Sequence, residues 1–340
     1  MAGARMTMRK DLSQAFLTHA GWGSAARAFL SGDASDRSYD RLHRGDETAV
    51  LMDAPPGKGD DPADFIAIAD HLRGLGLSAP AILARDLPNG FLLLEDLGDA
   101  VYARVIDADP AQELPLYQAA ADVLLRLQAA PPPPALPDLQ AADWAEAAAF
   151  ALDWYRWSIT GERVETTPFI ACLTDCLARH ADGPRVMILR DYHAENLLWL
   201  PERAGLARVG LLDFQLAQMG QPAYDLVSLL QDARRDVSAQ IEAAICSRFR
   251  DANGTTDAAF AASYAALGAQ RALRILGIFA RLCIHAGKPG YLRLMPRVWG
   301  QLQRNLAHPA LAPLATLCAD LLPPPTPDRL ARIAAQCPTP

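Results

Sequence analysis

Four residues stand between Asp191 and Asn196 in "LRDYHAENLLWL", and Asp213 closes the apolar run "VGLLD" further along. Arg190, Asp191, His193, Glu195 and Asn196 place charge and polarity between two segments as apolar as buried strands. Phosphoryl transfer asks for such groups: a carboxylate to orient an acceptor hydroxyl, and oxygen ligands for a Mg²⁺ that bridges ATP phosphates. Mg²⁺ is a hard cation and prefers oxygen donors. A D-x4-N loop between two short strands, then a strand ending in Asp, supplies them together. The apolar flanks would hold the loop rigid while its charged middle faces a cleft.

The elements that must position this loop are legible in outline. "AARAFL", "SYDRLH" and "TAVLMDA" read as strands separated by turn-rich pieces. A helix follows, with Asp60 or Asp61 as cap, Pro62 in its first turn, an apolar face of Phe65, Ile68, Ala69 and Leu72, and Gly74 and Gly76 as its stop. "AILARDL", "PNG" and "FLLLEDL" then read as strand, tight turn, strand. After Gly98 alanine and leucine recur at helical spacing, predicting helices over 116–129, 141–158, 168–180, 226–247, 258–286 and 311–320, with a short last one near the C-terminus. "PPPPALP" cannot be helical and reads as an extended connector.

Bulk properties exclude several classes. The net charge is −7, a poor basis for binding a phosphate backbone, so no nucleic-acid partner is expected. Lysine occurs only at 10, 58 and 288, leaving arginine as the main cation. No run approaches the ~18 apolar residues of a membrane span. The N-terminus has no apolar stretch of the secretory type, with Met1, Met6 and Met8 as alternative starts. None of the six cysteines forms a CxxC pair. They read as reduced and buried, in a cytoplasmic protein. The oligomeric state is left open, with a monomer the simplest expectation.

"LRDYHAEN" stands where protein kinases have H-R-D-L-x-x-x-N, and "LDF" where they have D-F-G, with Gln215 in place of that glycine. The pair resembles the catalytic and metal-binding loops of the aminoglycoside phosphotransferase and protein-kinase-like superfamily. "SGDASDRSY", "VLMDAPP", "GFLLLEDLG", "QPAYDLVSLLQDAR" and "LGIFARL…GKPGYL" extend the resemblance, over roughly 28–296, to the anomeric amino-sugar kinases of cell-wall recycling. That resemblance implies an α+β, protein-kinase-like fold: a nucleotide-binding lobe over 1–96, an antiparallel sheet with one helix, and a large helical lobe over 97–340. It implies ATP and Mg²⁺ as cofactors and an amino sugar, N-acetylmuramate or N-acetylglucosamine, as acceptor at C1.

Roles follow residue by residue. Asp191 would be the catalytic base or orienter, and Asn196 and Asp213 the metal ligands. Asp225 reads as a helix N-cap, and the resemblance adds a brace for the catalytic loop. Backbone groups of Glu95 and Leu97 would hold adenine. The expected phosphate lysine is replaced by Met52, and the following helix has Asp64 and Asp70 but no Glu. Phosphate charge would then fall to the loop around Gly32 and Ser35, to Arg37, and next to Lys58. His193 and Glu195 are candidates to meet the acceptor. Arg274, Ile278, Arg281 and His285 share a helix face, by default a solvated stripe, and Arg274 and Arg281 are candidates for an acidic sugar. Trp154, Tyr155 and Trp157 read as packing.

Three rival readings remain. One is a kinase for an aminoglycoside, choline or homoserine; a basic stripe sits poorly with a polycationic acceptor. Another is a metallophosphoesterase, since Asp191-Tyr192-His193 reads D-x-H, but the companion metal motifs of that class are missing. The third, motivated by Met52, is a non-catalytic nucleotide-binding regulator.

Overall fold

The computed structural model describes residues 2–31 and 37–338. Among them the strands are β1 (Ala26–Ser31), β2 (Ser38–Arg44), β3 (Glu47–Asp53), β4 (Ile82–Asp86), β5 (Phe91–Glu95), β6 (Val186–Ile188), β7 (Leu197–Trp199), β8 (Val209–Leu211) and β9 (Gln218–Gly220). The helices are α1 (Ala2–His19), α2 (Pro62–Gly74), α3 (Tyr102–Ala108), α4 (Glu113–Gln128), α5 (Ala141–Ala148), α6 (Trp157–Thr160), α7 (Thr167–His180), α8 (Tyr224–Leu230), α9 (Ala239–Asn253), α10 (Asp257–Ala286), α11 (Met295–Leu306), α12 (Ala312–Leu321) and α13 (Pro327–Ala334). The chain forms two compact units, residues 1–112 with 195–217, and 113–194 with 218–340.

The first unit is built on an antiparallel sheet in the order β1-β2-β3-β5-β4. Alternation along β3 sends Ala49 and Leu51 to one face and Val50 and Met52 to the other, and all four are buried. Ala49 and Leu51 join Leu42, Phe91 and Leu93 in a core completed by Phe16, Leu17 and Trp22. Phe16 and Leu17 belong to α1, a helix the sequence reading did not anticipate. Arg9 fastens it further: its guanidinium lies 4.0 Å over the Phe91 ring and bonds Asp53 at 2.9 Å. α2 starts as its sequence predicts, with Asp61 accepting from the Ala63 N–H at 2.8 Å and Pro62 in the first turn. The β4–β5 turn needs its glycine. Gly90 has φ +72°, and a Cβ there would meet the Ala54 carbonyl oxygen at 1.9 Å.

The segment 195–217 completes this unit. β7 and β8 pair antiparallel, Leu197 opposite Leu211. The Leu211 N–H donates to Ser78 O at 2.9 Å and the Trp199 N–H to Ala100 O at 2.8 Å, so the hairpin is stitched to the chain on either side of β5.

In the second unit helices surround α10, whose buried run from Ala262 to Cys283 packs with Trp144, Tyr155, Phe169, Val298 and Leu302 among others. β6 pairs with β9, Val186 opposite Gly220. The predicted 226–247 helix is two helices. α8 ends at Leu230 and α9 starts at Ala239, capped by Ser238. The reason is polar. Gln301 donates to Asp232 O at 2.9 Å and Arg297 to Ala233 O at 3.2 Å, capturing carbonyls that a continuous helix would use itself. The predicted 141–158 helix is likewise divided, with a π-helical turn over Ala151–Arg156.

Candidate active site

The loop bearing Asp191 lies in the second unit and is held from below. Leu189 and Arg190 donate their backbone N–H groups to the two carboxylate oxygens of Asp225, at 2.6 and 2.9 Å. Asp225 is completely buried in the first turn of α8. It does not cap that helix, whose N-cap is Ala223. Burial pushes its carboxyl up to about 7, against the pull of the two N–H donors. Ser228, one turn on, donates to Arg190 O at 3.3 Å and accepts from Arg271 at 2.8 Å. Arg190 itself has φ +73°, and the Asp191 N–H donates back to Leu189 O at 3.0 Å. A three-residue turn with positive φ at its centre is the rarer, strained form. The Tyr192 hydroxyl donates to Ala120 O at 2.9 Å. Asp191 thus stands half-buried on a backbone pinned before, at and after it.

His193 is 4% exposed, with Nε2 3.2 Å from Arg234 Nη1. Burial, then the charges of Arg234 and Arg271, hold it well below the usual histidine range, so it is neutral. The Arg234 N–H donates, which makes Nε2 the acceptor and leaves the ring hydrogen on Nδ1.

Asn196 and Asp213 lie in the first unit. The Leu212 N–H donates to Asn196 O at 3.0 Å, so the β7–β8 hairpin sets Asn196 across from the residue before Asp213. Asp213 is exposed, with φ +56°, and accepts from Gln215 Nε2 at 2.8 Å. Phe214 behind it is fully buried, its ring 4.9 Å from Phe65. Two oxygen-bearing side chains on one pinned hairpin match what Mg²⁺ takes from a protein when phosphates supply the rest. Among the described residues no cluster of three or more His, Cys, Asp or Glu is placed to hold a metal by itself.

The lysine position is apolar, as its sequence says: Met52 is fully buried, opposite Tyr39 of β2 and Leu92 of β5. A cation stands just before the neighbouring strand instead. Arg37 precedes β2, is 2% exposed, and lies 3.3 Å from Asp60. Its charge acts on the Tyr39 hydroxyl, which also feels the charges of Asp213 and Asp60. Burial pushes the Tyr39 hydroxyl up, and Arg37 opposes this. Lys58 is exposed. Gly32 and Ser35 lie outside the described residues.

At the end of β5 the Glu95 N–H donates to Ala81 O at 2.8 Å, which narrows a base-binding role to its carbonyl. The Glu95 carboxylate pairs with Arg203 at 2.5 Å and accepts from the Ala81 N–H at 3.1 Å. Arg41 of β2 clamps the next residues through Asp96 at 2.8 Å and Asp99 at 2.7 Å. Its hydrogen bond draws Asp99 below the usual carboxylate range. Leu97 lies over Gly210, where a Cβ would come within 3.4 Å of Leu97 Cδ1 and 3.1 Å of Leu198 Cβ.

The remaining candidates disperse. Glu195 is exposed. Arg274 is half-buried on α10, and Arg281 is exposed with its guanidinium 5.8 Å over the Trp154 ring. Sequence reasoning missed Tyr39, Arg41, Ser228, Asp232, Arg234 and Arg271. A signal existed for two of them: Asp225, Ser228 and Asp232 fall at i, i+3, i+7, one face of a helix continued past its end.

The phosphotransferase enzyme family matches residues 27–259. A protein of Caulobacter vibrioides named N-acetylmuramate/N-acetylglucosamine kinase is 42% identical, over 90% of this chain and 94% of its own. One of the same name from Pseudomonas aeruginosa is 36% identical, over 88% and 91%. Among solved structures, a choline/ethanolamine kinase family protein from Mesorhizobium loti superposes with a TM-score of 0.60 at 16% identity, over 96% of this chain and 99% of that one. A putative aminoglycoside phosphotransferase from Ralstonia eutropha gives 0.61 at 16%, over 97% and 99%. These likenesses show the protein-kinase-like fold. A carboxylate on a pinned, strained loop, an Asn–Asp hairpin and more than half the chain matched lead to one conclusion: the protein belongs to the phosphotransferase enzyme family and is an ATP-using kinase.

Proposed function

We propose that the protein transfers the γ-phosphoryl group of ATP to the C1 hydroxyl of N-acetylmuramate and N-acetylglucosamine. The observation that carries this is the Asp191 loop, braced by Asp225, in a chain 42% identical to a protein that bears that activity's name. Asp191 accepts the proton of the C1 hydroxyl as its oxygen attacks phosphorus. The bond from the γ-phosphorus to the β–γ bridging oxygen breaks, and ADP leaves. An anomeric hydroxyl is more acidic than an ordinary alcohol, so an ordinary carboxylate is an adequate base. Asn196 and Asp213 hold Mg²⁺, which when bound neutralises phosphate charge. Arg37 supplies the fixed cation that Met52 cannot. The carbonyl of Glu95 and the backbone of Leu97 orient the base. On this reading residues 1–96 handle the nucleotide, and 97–340 carry the catalytic and metal loops and the acceptor site, with Glu195 among its residues. No helix among the described residues is long and apolar enough to cross a membrane, and the six cysteines are free. Both facts suit work in the cytoplasm.

The test is ATP consumption, with Mg²⁺, over amino sugars, aminoglycosides, choline and homoserine. The expected result is turnover with the two N-acetylated sugars and background with the rest. Turnover with choline or an aminoglycoside alone would replace the acceptor. Nucleotide binding without turnover on any acceptor would favour the regulator that Met52 suggests.

A further inference from the structure

The turn after α13, residues 335–338, lies over the C-terminal end of α10. Gly287, with φ +64°, caps that helix, and its N–H donates to Cys283 O at 3.1 Å. A Cβ on Gly287 would lie 3.7 Å from Pro338 O. Two side chains anchor the turn. Ile333 of α13 is fully buried in the core around α10, and the Gln336 amide donates to Ser158 O at 2.7 Å. Here two free thiols meet. The Cys337 thiol donates to Cys283 O at 2.7 Å, and the Cys283 thiol donates to Ile333 O at 3.8 Å. Each sulfur touches the other's stretch of backbone, across 54 positions of sequence.

The first of these bonds puts Cys337 Sγ within about 5 Å of the Cys283 Cα, since the Cα and O of one residue are about 2.4 Å apart. A disulfide spans roughly 4.4–6.8 Å from Cα to Cα. We propose that Cys283 and Cys337 form a redox modification site, which hydrogen peroxide closes into an intramolecular disulfide that staples α13 and its trailing turn to α10. This goes beyond the kinase reading and does not depend on the acceptor.

Exposure sets the order of events. Cys283 is fully buried and Cys337 half-buried. Burial, with Cys337 beside it, also pushes the Cys283 thiol up, and the thiolate is the reactive form. Cys337 therefore meets the oxidant first. Its sulfur attacks the peroxide, the O–O bond breaks, and a sulfenic acid and water form. The Cys283 sulfur then attacks the Cys337 sulfur. The S–O bond breaks, the S–S bond forms, and the departing hydroxide takes the Cys283 proton as a second water. Two thiols and one peroxide give one disulfide and two waters, with two electrons passed to the peroxide. A resolving thiol this close spares Cys337 the further, irreversible oxidations.

The other cysteines serve less well. Cys172 and Cys176 stand one turn apart on α7, where Cβ atoms are about 5–6 Å apart, against the roughly 3.5–4.5 Å of a disulfide. Burial pushes the Cys246 and Cys318 thiols up to about 12. The staple acts on stability rather than on the Asp191 loop. Arg271, which bonds Ser228, lies twelve residues back along α10 from Cys283, about 18 Å. A cross-link over this length of chain removes entropy from the unfolded state.

The experiment treats the full chain with a small excess of hydrogen peroxide, blocks the remaining thiols with a maleimide under denaturing conditions, and counts them by intact mass. The expected result is a fall from six free thiols to four, with the tryptic peptide 333–340 joined to 282–293 and released again by dithiothreitol. The melting temperature of the oxidised chain should rise by at least about 3 °C. Cys337→Ser should give neither the linked peptide nor the rise. The mapping on wild type stands whether or not that variant folds. Six surviving thiols, a link to another cysteine, Cys337 oxidised without the link, or a linked chain no more stable than the reduced one would each overturn the staple.

Discussion

On the proposed reading Asp191 bears the chemistry, and its neighbours show why it does not stand alone. The backbone N–H groups of Leu189 and Arg190, just before it, are captured by the buried Asp225, and Arg190 holds a positive φ. Asp191→Asn removes the proposed base and leaves this scaffold. We expect kcat to fall at least ~100-fold with ATP affinity retained, the lower end for a positioned general base. Steady-state kinetics with nucleotide titration would measure it, and near-wild-type turnover would remove the assignment. Arg37 poses a separate question. If it replaces the lysine at Met52, Arg37→Ala raises the KM for ATP several-fold, whereas Lys58→Ala, at an exposed site, changes it little. An unchanged KM in the first variant would sink the replacement. His193 adds a pH effect whose sign is fixed. The folded state keeps it neutral, while the unfolded chain takes a proton near 6.5. Stability is therefore intact above about pH 6.5 and falls as the pH drops below it, by up to about 1.4 kcal/mol per pH unit from this group. Thermal unfolding from pH 8 to 5 should show a steeper acid loss in wild type than in His193→Asn; parallel curves would contradict it. Spacing made Asp191, Asn196 and Asp213 legible. It could not show Arg234 or Arg271, because they reach the loop from distant stretches of chain.

At the level of elements, period and punctuation carried far. The five strands and α2 fall within a residue or two of their sequence-predicted bounds, since alternation, Asp61–Pro62 and Gly74 each act locally. α1 was not legible: "ARMTMRKD" shows no apolar period, and its buried apolar residues, Phe16 and Leu17, come only near its end. The break between α8 and α9 was not legible either. Propensity continues through "LLQDARRD", and the side chains that stop it, Arg297 and Gln301, lie in α11. One glycine exposes a tight contact. A Cβ on Gly277, in the middle of α10, would sit 2.3 Å from the backbone C and O of Phe150. Backbone cannot yield as a flexible side chain can. Gly277→Ala should therefore destabilise the protein by about 1–3 kcal/mol, despite alanine's better helix propensity. Urea unfolding would read it, and a variant as stable as wild type would show that the two segments can part freely.

Across the whole molecule, the change from strand-like to helix-like composition after Gly98 marked a sheet part and a helical part, and the resemblance carried by the motifs implied the kinase-like fold. What composition could not convey is that 195–217 associates with the first 112 residues. That association depends on pairings such as Ser78 with Gly210 and Val101 with Leu198, over a hundred residues apart in one case, which no local pattern encodes. It puts the Asn196–Asp213 hairpin in one compact unit with Arg37 and Tyr39. Asp213→Ala should abolish Mg²⁺-dependent turnover and leave thermal unfolding near wild type, since the side chain is exposed; a folded variant with full activity would remove the metal assignment. The central claim concerns where the phosphoryl group goes. Phosphorus NMR of the product from N-acetylglucosamine, ATP and Mg²⁺, with wild type and Asp191→Asn side by side, decides it. The account predicts a new phosphomonoester resonance coupled to the anomeric proton, formed by wild type and nearly absent with the variant. A phosphate coupled to any other ring proton, or ATP loss yielding only inorganic phosphate, would contradict it.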